Sequence, residues 1–321
     1  MLSLSSFLAA WSIHALLATL SHARYSPFPP EPEGVTILQS KIHPNVSISY
    51  KEPGICETTP GIRSFSGYVH LPPYISTNLD ESQDYPLNTF FWFFESRHDA
   101  ANAPLVIVLN GGPGSSSTAM AMSAMGPCSL NSDGNSTVTN PWSWNQKANL
   151  LFIDQPNMVG FSYDTLTNIT VHGSGMDSEI KVADFSRGIP PQNKTFHVGV
   201  GGTQDMLRTA NSTQHAAIAM WHFAQVWFTE YVASSCNADT KLTRSCRFPE
   251  YKPSNAKISL MTASYGGRYG PAFVDYFLDR NEAVEAGIID DTLVHVLHID
   301  TLGILNGRSL RVSRSCMLGA D

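Results

Sequence analysis

The chain has 321 residues, 42% of them hydrophobic, enough for one large core or a core with a smaller cap. Its formal charge of −7 and pI near 5.8 leave no basic footprint. Nucleic acid and anionic membranes are therefore not expected partners.

In chain order, residues 1–23, "MLSLSSFLAAWSIHALLATLSHA", read as a secretory signal peptide. The apolar stretch is interrupted by Ser12, His14 and Ser21, which suits a spanning helix poorly, and Ser21-His22-Ala23 offers small residues to a signal peptidase. No later segment is apolar enough to span a bilayer. Residues 24–50 are Pro-rich and polar and read as an extended lead-in. "SFSGYVHLP" and "NTFFWFFES" read as two strands forming an antiparallel pair, with a polar loop between them.

"APLVIVLN", "NLLFIDQP", "KISLMTAS" and "LVHVLHIDTLGILNG" are continuous apolar runs, the pattern of strands buried on both faces. Between the second and third lies a helix pattern, with Ala216, Ala219, Met220, Phe223, Val226, Trp227 and Tyr231 on one face. After Ser264, Tyr269, Phe273 and Phe277 recur at helical spacing. Strands alternating with helices indicate an α/β fold with a mostly parallel sheet. The polar, glycine-bearing stretch from about 165 reads as an insertion extending to about 250, with "HVGVGGTQD" as a flexible cap loop. Trp142, Trp144, Trp221 and Trp227 read as core. The tail, 308–321, is rich in Arg and Ser and departs from the preceding pattern.

Five sequons, at Asn45, Asn135, Asn168, Asn193 and Asn211, fit a secreted glycoprotein with surface loops at those points. Five cysteines then occupy an oxidising compartment, and their odd number leaves at least one without an intrachain partner. Cys236 and Cys246 lie close enough in sequence to close a small loop. The histidines show neither His-Glu-x-x-His nor any other metal spacing, and no cofactor or metal is expected.

The chemistry concentrates at two Gly-rich turns that follow apolar runs. In Thr262-Ala263-Ser264-Tyr265-Gly266, a strand pattern precedes the serine and a helix pattern follows it. That context fits a nucleophile elbow, although Thr262 stands where G-x-S-x-G has its first glycine. Alone, it fits a serine N-cap equally well. The second turn, "LNGGPGSSS" from Leu109 to Ser117, presents backbone N–H groups suited to an oxyanion hole. Read as a phosphate loop, it lacks the G-x-x-x-x-G-K-[ST] pattern.

Five segments together, "GICETTPGIRSFSGYVHLP", "LVIVLNGGPGSSS", "NPWSWNQKANLLFIDQPNMVGFSYD", "ASYGGRYGP" and "TLGILNG", resemble the secreted fungal serine carboxypeptidases over residues 50–307. The resemblance implies an α/β-hydrolase fold with an inserted cap, incomplete at its C-terminus, over 51–307. It implies Ser264 as nucleophile, Gly112 and Tyr265 as oxyanion-hole donors, and Asn110 and Gly111 as contacts for a substrate carboxylate. The substrates it implies are peptide or protein C-termini, often with apolar side chains beside the cleaved bond, and the route is secretory, extracellular or vacuolar.

Three departures from the family pattern accompany it. The family's Asp and His follow the serine in the second half of the fold, and no position here matches them. His295, His298, Asp275, Asp279 and Asp300 fall outside the family's positions, so the chain reads as an N-terminal portion, weakly active or inactive as given. Ala263 and Ala124 stand where the family has glutamates that bind the substrate carboxylate. Ser115 replaces a cysteine, and the cysteine equivalent to Cys56 pairs far downstream, which places its partner beyond residue 321. The alternatives are a non-catalytic secreted homologue or an acyltransferase or esterase-like relative.

Overall fold

The computed structural model describes residues 32–40, 45–75, 83–173, 178–233, 257–289, 294 and 296–308. All of these except Pro32 and Glu33 belong to one compact unit that starts at Gly34. The signal peptide, the Cys236–Cys246 pairing, His295 and the tail beyond Arg308 lie outside the described residues.

The chain is an α/β protein built on an eight-stranded sheet. In chain order the main strands are β1 (Thr36–Gln39), β2 (Ser47–Lys51), β3 (Ser64–Leu71), β4 (Leu87–Phe94) and β5 (Leu105–Leu109). The hairpin strands β6 (Cys128–Leu130) and β7 (Thr137–Thr139) follow, then β8 (Asn149–Ile153). Next come β9 (Thr167–His172), β10 (Glu179–Val182), β11 (Phe196–Gly201) and helix α1 (Thr213–Ala233). Last are β12 (Ile258–Ala263), helix α2 (Gly266–Glu285) and β13 (Ile299–Leu305).

The sheet order is β1-β2-β3-β4-β8-β5-β12-β13. It is mixed: β1 through β4 and on to β8 pair antiparallel, whereas β8-β5-β12-β13 pair parallel. The four continuous apolar runs of the sequence are these four parallel strands. The two strands read from "SFSGYVHLP" and "NTFFWFFES" are β3 and β4, paired antiparallel from Ser64↔Phe94 to Leu71↔Leu87. The lead-in segment contributes β1 and most of β2, so the antiparallel half extends further than those two strands suggested. Polar residues alternate along β2, which hid a half-buried strand inside a Pro-rich stretch.

Side chains alternate across the sheet and fill two cores. Phe91, Phe93, Leu151 and Ile153 face the side covered by α1 and α2. Trp92, Phe94, Leu150 and Phe152 face the other side, against Ala121, Cys56 and Cys128. This period-2 division follows from strand geometry. Helix α1 is enclosed on more than the one face expected: Ala217, Ile218, Trp221, Ala224 and Phe228 are buried along with Ala216, Met220, Phe223, Val226 and Trp227. A helix apolar nearly all round has this fate. It packs on the main sheet, so among the described residues of 165–250 the separate structure is the small sheet β10-β9-β11. "HVGVGGTQD", expected as a flexible loop, is mostly β11, which pairs along all of β9. Trp142, expected in the core, is 86% exposed, whereas Trp221 and Trp227 are buried.

Cys56 and Cys128 form a disulfide that closes 72 residues of sequence separation. This corrects the expected partner beyond residue 321. Both cysteines are buried under the 3-10 turn Thr118–Met122, where the fold brings them together, and their spacing carried no signal of this. Among the described residues no helix is long and apolar enough to cross a membrane.

Candidate active site

Ser264 joins the end of β12 to the start of α2. Its φ is +54°, a left-handed backbone that non-glycine residues rarely adopt and that costs on the order of 1–3 kcal/mol. The end of β13 holds it there. Ser264 N–H donates to the Leu305 carbonyl at 2.9 Å, and the Ser264 carbonyl accepts from the amides of Arg308 at 2.8 Å and Gly267 at 3.0 Å. The N-cap of α2 is Tyr265, with no side-chain capping bond. Ser264 Oγ makes no hydrogen bond among the described residues, so its hydroxyl is not spent as a helix cap. The side chain is half-buried at the C-terminal edge of the parallel strands.

The second turn lies directly against the first. A Cβ added to Gly111 would meet Ala263 O at 2.5 Å, Tyr265 N at 2.7 Å and Ser264 Cβ at 2.8 Å. Only glycine allows this approach. Gly112 follows at φ +110° and is exposed. Among the described residues neither the Gly112 nor the Tyr265 N–H donates a hydrogen bond to a protein group. Ser264 also sits at the N-terminal, positive end of a 20-residue helix.

Asn110 braces the loop. Its backbone N–H donates to Ser117 Oγ at 3.0 Å, its Nδ2 to the Ser116 carbonyl at 3.0 Å, and its Oδ1 accepts from Gly111 N–H at 2.8 Å. The Tyr269 hydroxyl donates to the Asn110 carbonyl, tying α2 to the loop. Burial pushes the Tyr269 phenol up, so it stays a neutral donor. Gly111 N–H is committed inside the loop, whereas Asn110 Nδ2 carries a second proton.

Asp154, at the end of β8, was not singled out as a site residue. It is fully buried and accepts from Ser116 Oγ at 2.8 Å, Thr118 N–H at 2.9 Å and Phe161 N–H at 3.0 Å. It fixes the far side of the Gly-rich loop. The signal for it was present: a carboxylate closing an apolar strand run needs donors, and the following loops supply them.

Other candidates lie elsewhere. His298 is exposed beside the start of β12, where its carbonyl accepts from Ile258 N–H at 2.8 Å. Ser264 is at the other end of that strand, roughly 20 Å away at the rise of an extended chain. Asp300 pairs with Lys257 at 2.7 Å at that same far end. Ala124 is exposed, and its carbonyl accepts from Asn140 Nδ2 at 2.9 Å. Of the sequon asparagines, Asn45, Asn135, Asn193 and Asn211 are exposed, and Asn168 is half-buried in β9. Among the described residues no cluster of His, Cys, Asp and Glu is arranged to hold a metal ion.

Carboxypeptidase S1 homolog A of Arthroderma otae is 54% identical over 87% of this chain and 40% of its own length. Carboxypeptidase S1 homolog A of Trichophyton rubrum is 50% identical over 93% of this chain and 43% of its own. Among solved structures, a prohormone-processing carboxypeptidase from Saccharomyces cerevisiae aligns with a TM-score of 0.49 and 25% identity, over 77% of this chain and 39% of that one. The chain thus spans about two fifths of the length of the curated relatives it matches. Residues 53–238 match the serine carboxypeptidase family, and the chain belongs to that family.

Proposed function

We propose that this chain carries the nucleophile and oxyanion hole of a secreted serine carboxypeptidase acting on peptide C-termini. The observation that carries the reading is Ser264, held at φ +54° between a strand and a helix and against the Gly111–Gly112 turn. Ser264 Oγ attacks the carbonyl of the terminal peptide bond and loses its proton to a general base. The negative charge on the carbonyl oxygen is met by the N–H groups of Gly112 and Tyr265, preorganised donors of the kind that stabilise tetrahedral intermediates. The amine of the terminal residue leaves with a proton, and water then releases the acyl group from Ser264. Asn110 Nδ2 donates to the terminal carboxylate. Five sequons accord with a secretory route.

A second reading, a non-catalytic homologue, is favoured by one observation: no described histidine or carboxylate hydrogen-bonds to Ser264 Oγ. A serine without its base is a weak nucleophile. Ala263 and Ala124 also leave no carboxyl to pair with that of a substrate. A fluorophosphonate probe separates the two. Residues 1–307 are joined to the remaining C-terminal part of the Arthroderma otae relative, and labelling is mapped by mass spectrometry. The proposal expects modification of Ser264 in this chimaera and slow labelling of the 321-residue chain alone. A folded chimaera that leaves Ser264 unlabelled favours the second reading.

A further inference from the structure

Away from Ser264, three side chains stand in the order of a nucleophile, a base and an orienting group. Ser49 Oγ lies 2.7 Å from His70 Nε2, and His70 Nδ1 lies 2.6 Å from Asn88 Oδ1. The three stand on neighbouring strands, β2, β3 and β4. The Tyr68 ring stacks on that of His70 at 5.8 Å and helps hold its plane. β2 is five positions from β12 in the sheet, roughly 24 Å at the usual strand spacing, so Ser264 takes no part.

Asn88 settles where the protons are. Its Nδ2 donates to the Asp164 carbonyl at 2.7 Å and the Tyr163 carbonyl at 3.2 Å, so Oδ1 is the atom turned to the ring. An amide oxygen only accepts, so His70 Nδ1 carries a proton. Burial holds the imidazole pKa below its ordinary 6.5, against the Asn88 bond, which raises it. The ring is therefore neutral at neutral pH, Nε2 is its bare nitrogen, and the Ser49 hydroxyl donates to it. A serine bonded to a neutral base that a third group orients is the arrangement in which a hydroxyl becomes a nucleophile. Ser49 is half-buried, and its cross-strand neighbours on the same face are Ile37 and Tyr68. Ile37 is 61% exposed, so this row is open to solvent on the β1 side. The amides of β2 are spent on its ladders to β1 and β3, so no amide pair faces a developing oxyanion here. The arrangement therefore suits an ester whose leaving group departs unaided rather than an amide.

We propose that Ser49, His70 and Asn88 form a second acyl-accepting site, independent of Ser264, that takes small aryl esters. Ser49 Oγ attacks the ester carbonyl carbon and passes its proton to His70 Nε2. The bond from that carbon to the aryl oxygen breaks, the phenol leaves with the proton, and the acyl group stays on Ser49. Water then attacks the same carbon, gives its proton to Nε2, and the acid departs as Ser49 Oγ takes the proton back.

The test treats the 321-residue chain with p-nitrophenyl acetate at neutral pH and maps acetyl groups by mass spectrometry. Ser49 is expected to be acetylated faster than any other serine, by about 10²-fold or more. Ser49→Ala is expected to remove that acetyl group, and His70→Gln to slow its formation by about 10²-fold. Acetylation of Ser49 no faster than that of other serines, or at an unchanged rate in His70→Gln with a native thermal transition, overturns the proposal. Proton–nitrogen correlation NMR of the His70 ring reads the tautomer without any substitution. The neutral ring is expected to carry its proton on Nδ1, and a neutral ring protonated on Nε2 overturns the proposal. None of these readings depends on peptidase activity.

Discussion

Replacing Gly111 by Ala tests the contact on which the site geometry depends. The new Cβ would lie 2.5 Å from Ala263 O, 2.7 Å from Tyr265 N and 2.8 Å from Ser264 Cβ, where real contacts essentially never fall below 3.0 Å. All three atoms belong to the backbone or the first side-chain carbon of the Ser264 turn, so no flexible side chain can yield. The loop and the turn must separate by at least half an ångström. The loop is braced by Asn110 and Asp154 and the turn by Leu305 and Arg308, so the strain is shared by both. Overpacking of this kind costs about 1–3 kcal/mol. At about 2–4 °C per kcal/mol, the thermal midpoint should fall by about 2–12 °C. Gly199→Ala in β11 is the control: its nearest neighbour would be Ile169 Cγ1 at 3.9 Å, an ordinary contact, and the midpoint should hold within about 1 °C. Circular dichroism melts of the three proteins decide the matter. A Gly111→Ala midpoint equal to that of Gly199→Ala would show that the two turns do not touch as described.

Three further outcomes follow from buried groups. Asp154→Ala removes the acceptor of three hydrogen bonds and should destabilise the fold by about 3 kcal/mol or more, measured by urea unfolding; a loss under about 1 kcal/mol contradicts the brace. Cys128→Ala should cost about 2–5 kcal/mol, and a non-reducing peptide map should link the Cys56 and Cys128 peptides; the two recovered as separate thiols would refute the pairing. Glu57 gives a pH effect. Burial alone raises its carboxyl, but hydrogen bonds from Thr59, Asn145 and Arg97 outweigh that and hold it below the ordinary 4.5. A lowered folded value means its contribution is complete above pH 4.5 and is lost as pH falls further. Melts of Glu57→Gln should therefore show a shallower midpoint decline below pH 4.5 than the parent, from a lower starting value at neutral pH. Parallel curves for the two proteins would contradict it.

The parts of the fold legible in the sequence are those where one local rule decides. Continuous apolar runs marked the four parallel strands, although only β5 and β8 are buried on both faces; β12 alternates and β13, at the sheet edge, has no buried residue. Tyr269, Phe273 and Phe277, read at helical spacing, lie on α2, where all three are buried. What escaped depended on distant parts of the chain. β2 alternates polar residues within a Pro-rich stretch, and only its pairing with β3 makes it a strand. Cys56 meets Cys128 because the sheet and the Thr118–Met122 turn place them together, which spacing does not encode. At the site, the Ser264 turn was legible from its small residues and flanking pattern, yet equally as a helix cap. The positive φ and the absence of a capping bond distinguish the two, and neither can be read from residue type. Asp154 and Tyr269 were seen only as parts of a strand end and a helix face. Their roles as braces of the Gly-rich loop arise from tertiary hydrogen bonds.

The central claim, that Ser264 is the nucleophile of a carboxypeptidase, is tested most directly by release of the C-terminal amino acid from an N-blocked dipeptide. The enzyme is the chimaera of residues 1–307 with the C-terminal part of the Arthroderma otae relative. Release that falls by about 10⁴-fold or more in Ser264→Ala, with the thermal midpoint unchanged, is the expected result. Release that persists in Ser264→Ala, or a folded chimaera that frees no amino acid, contradicts it.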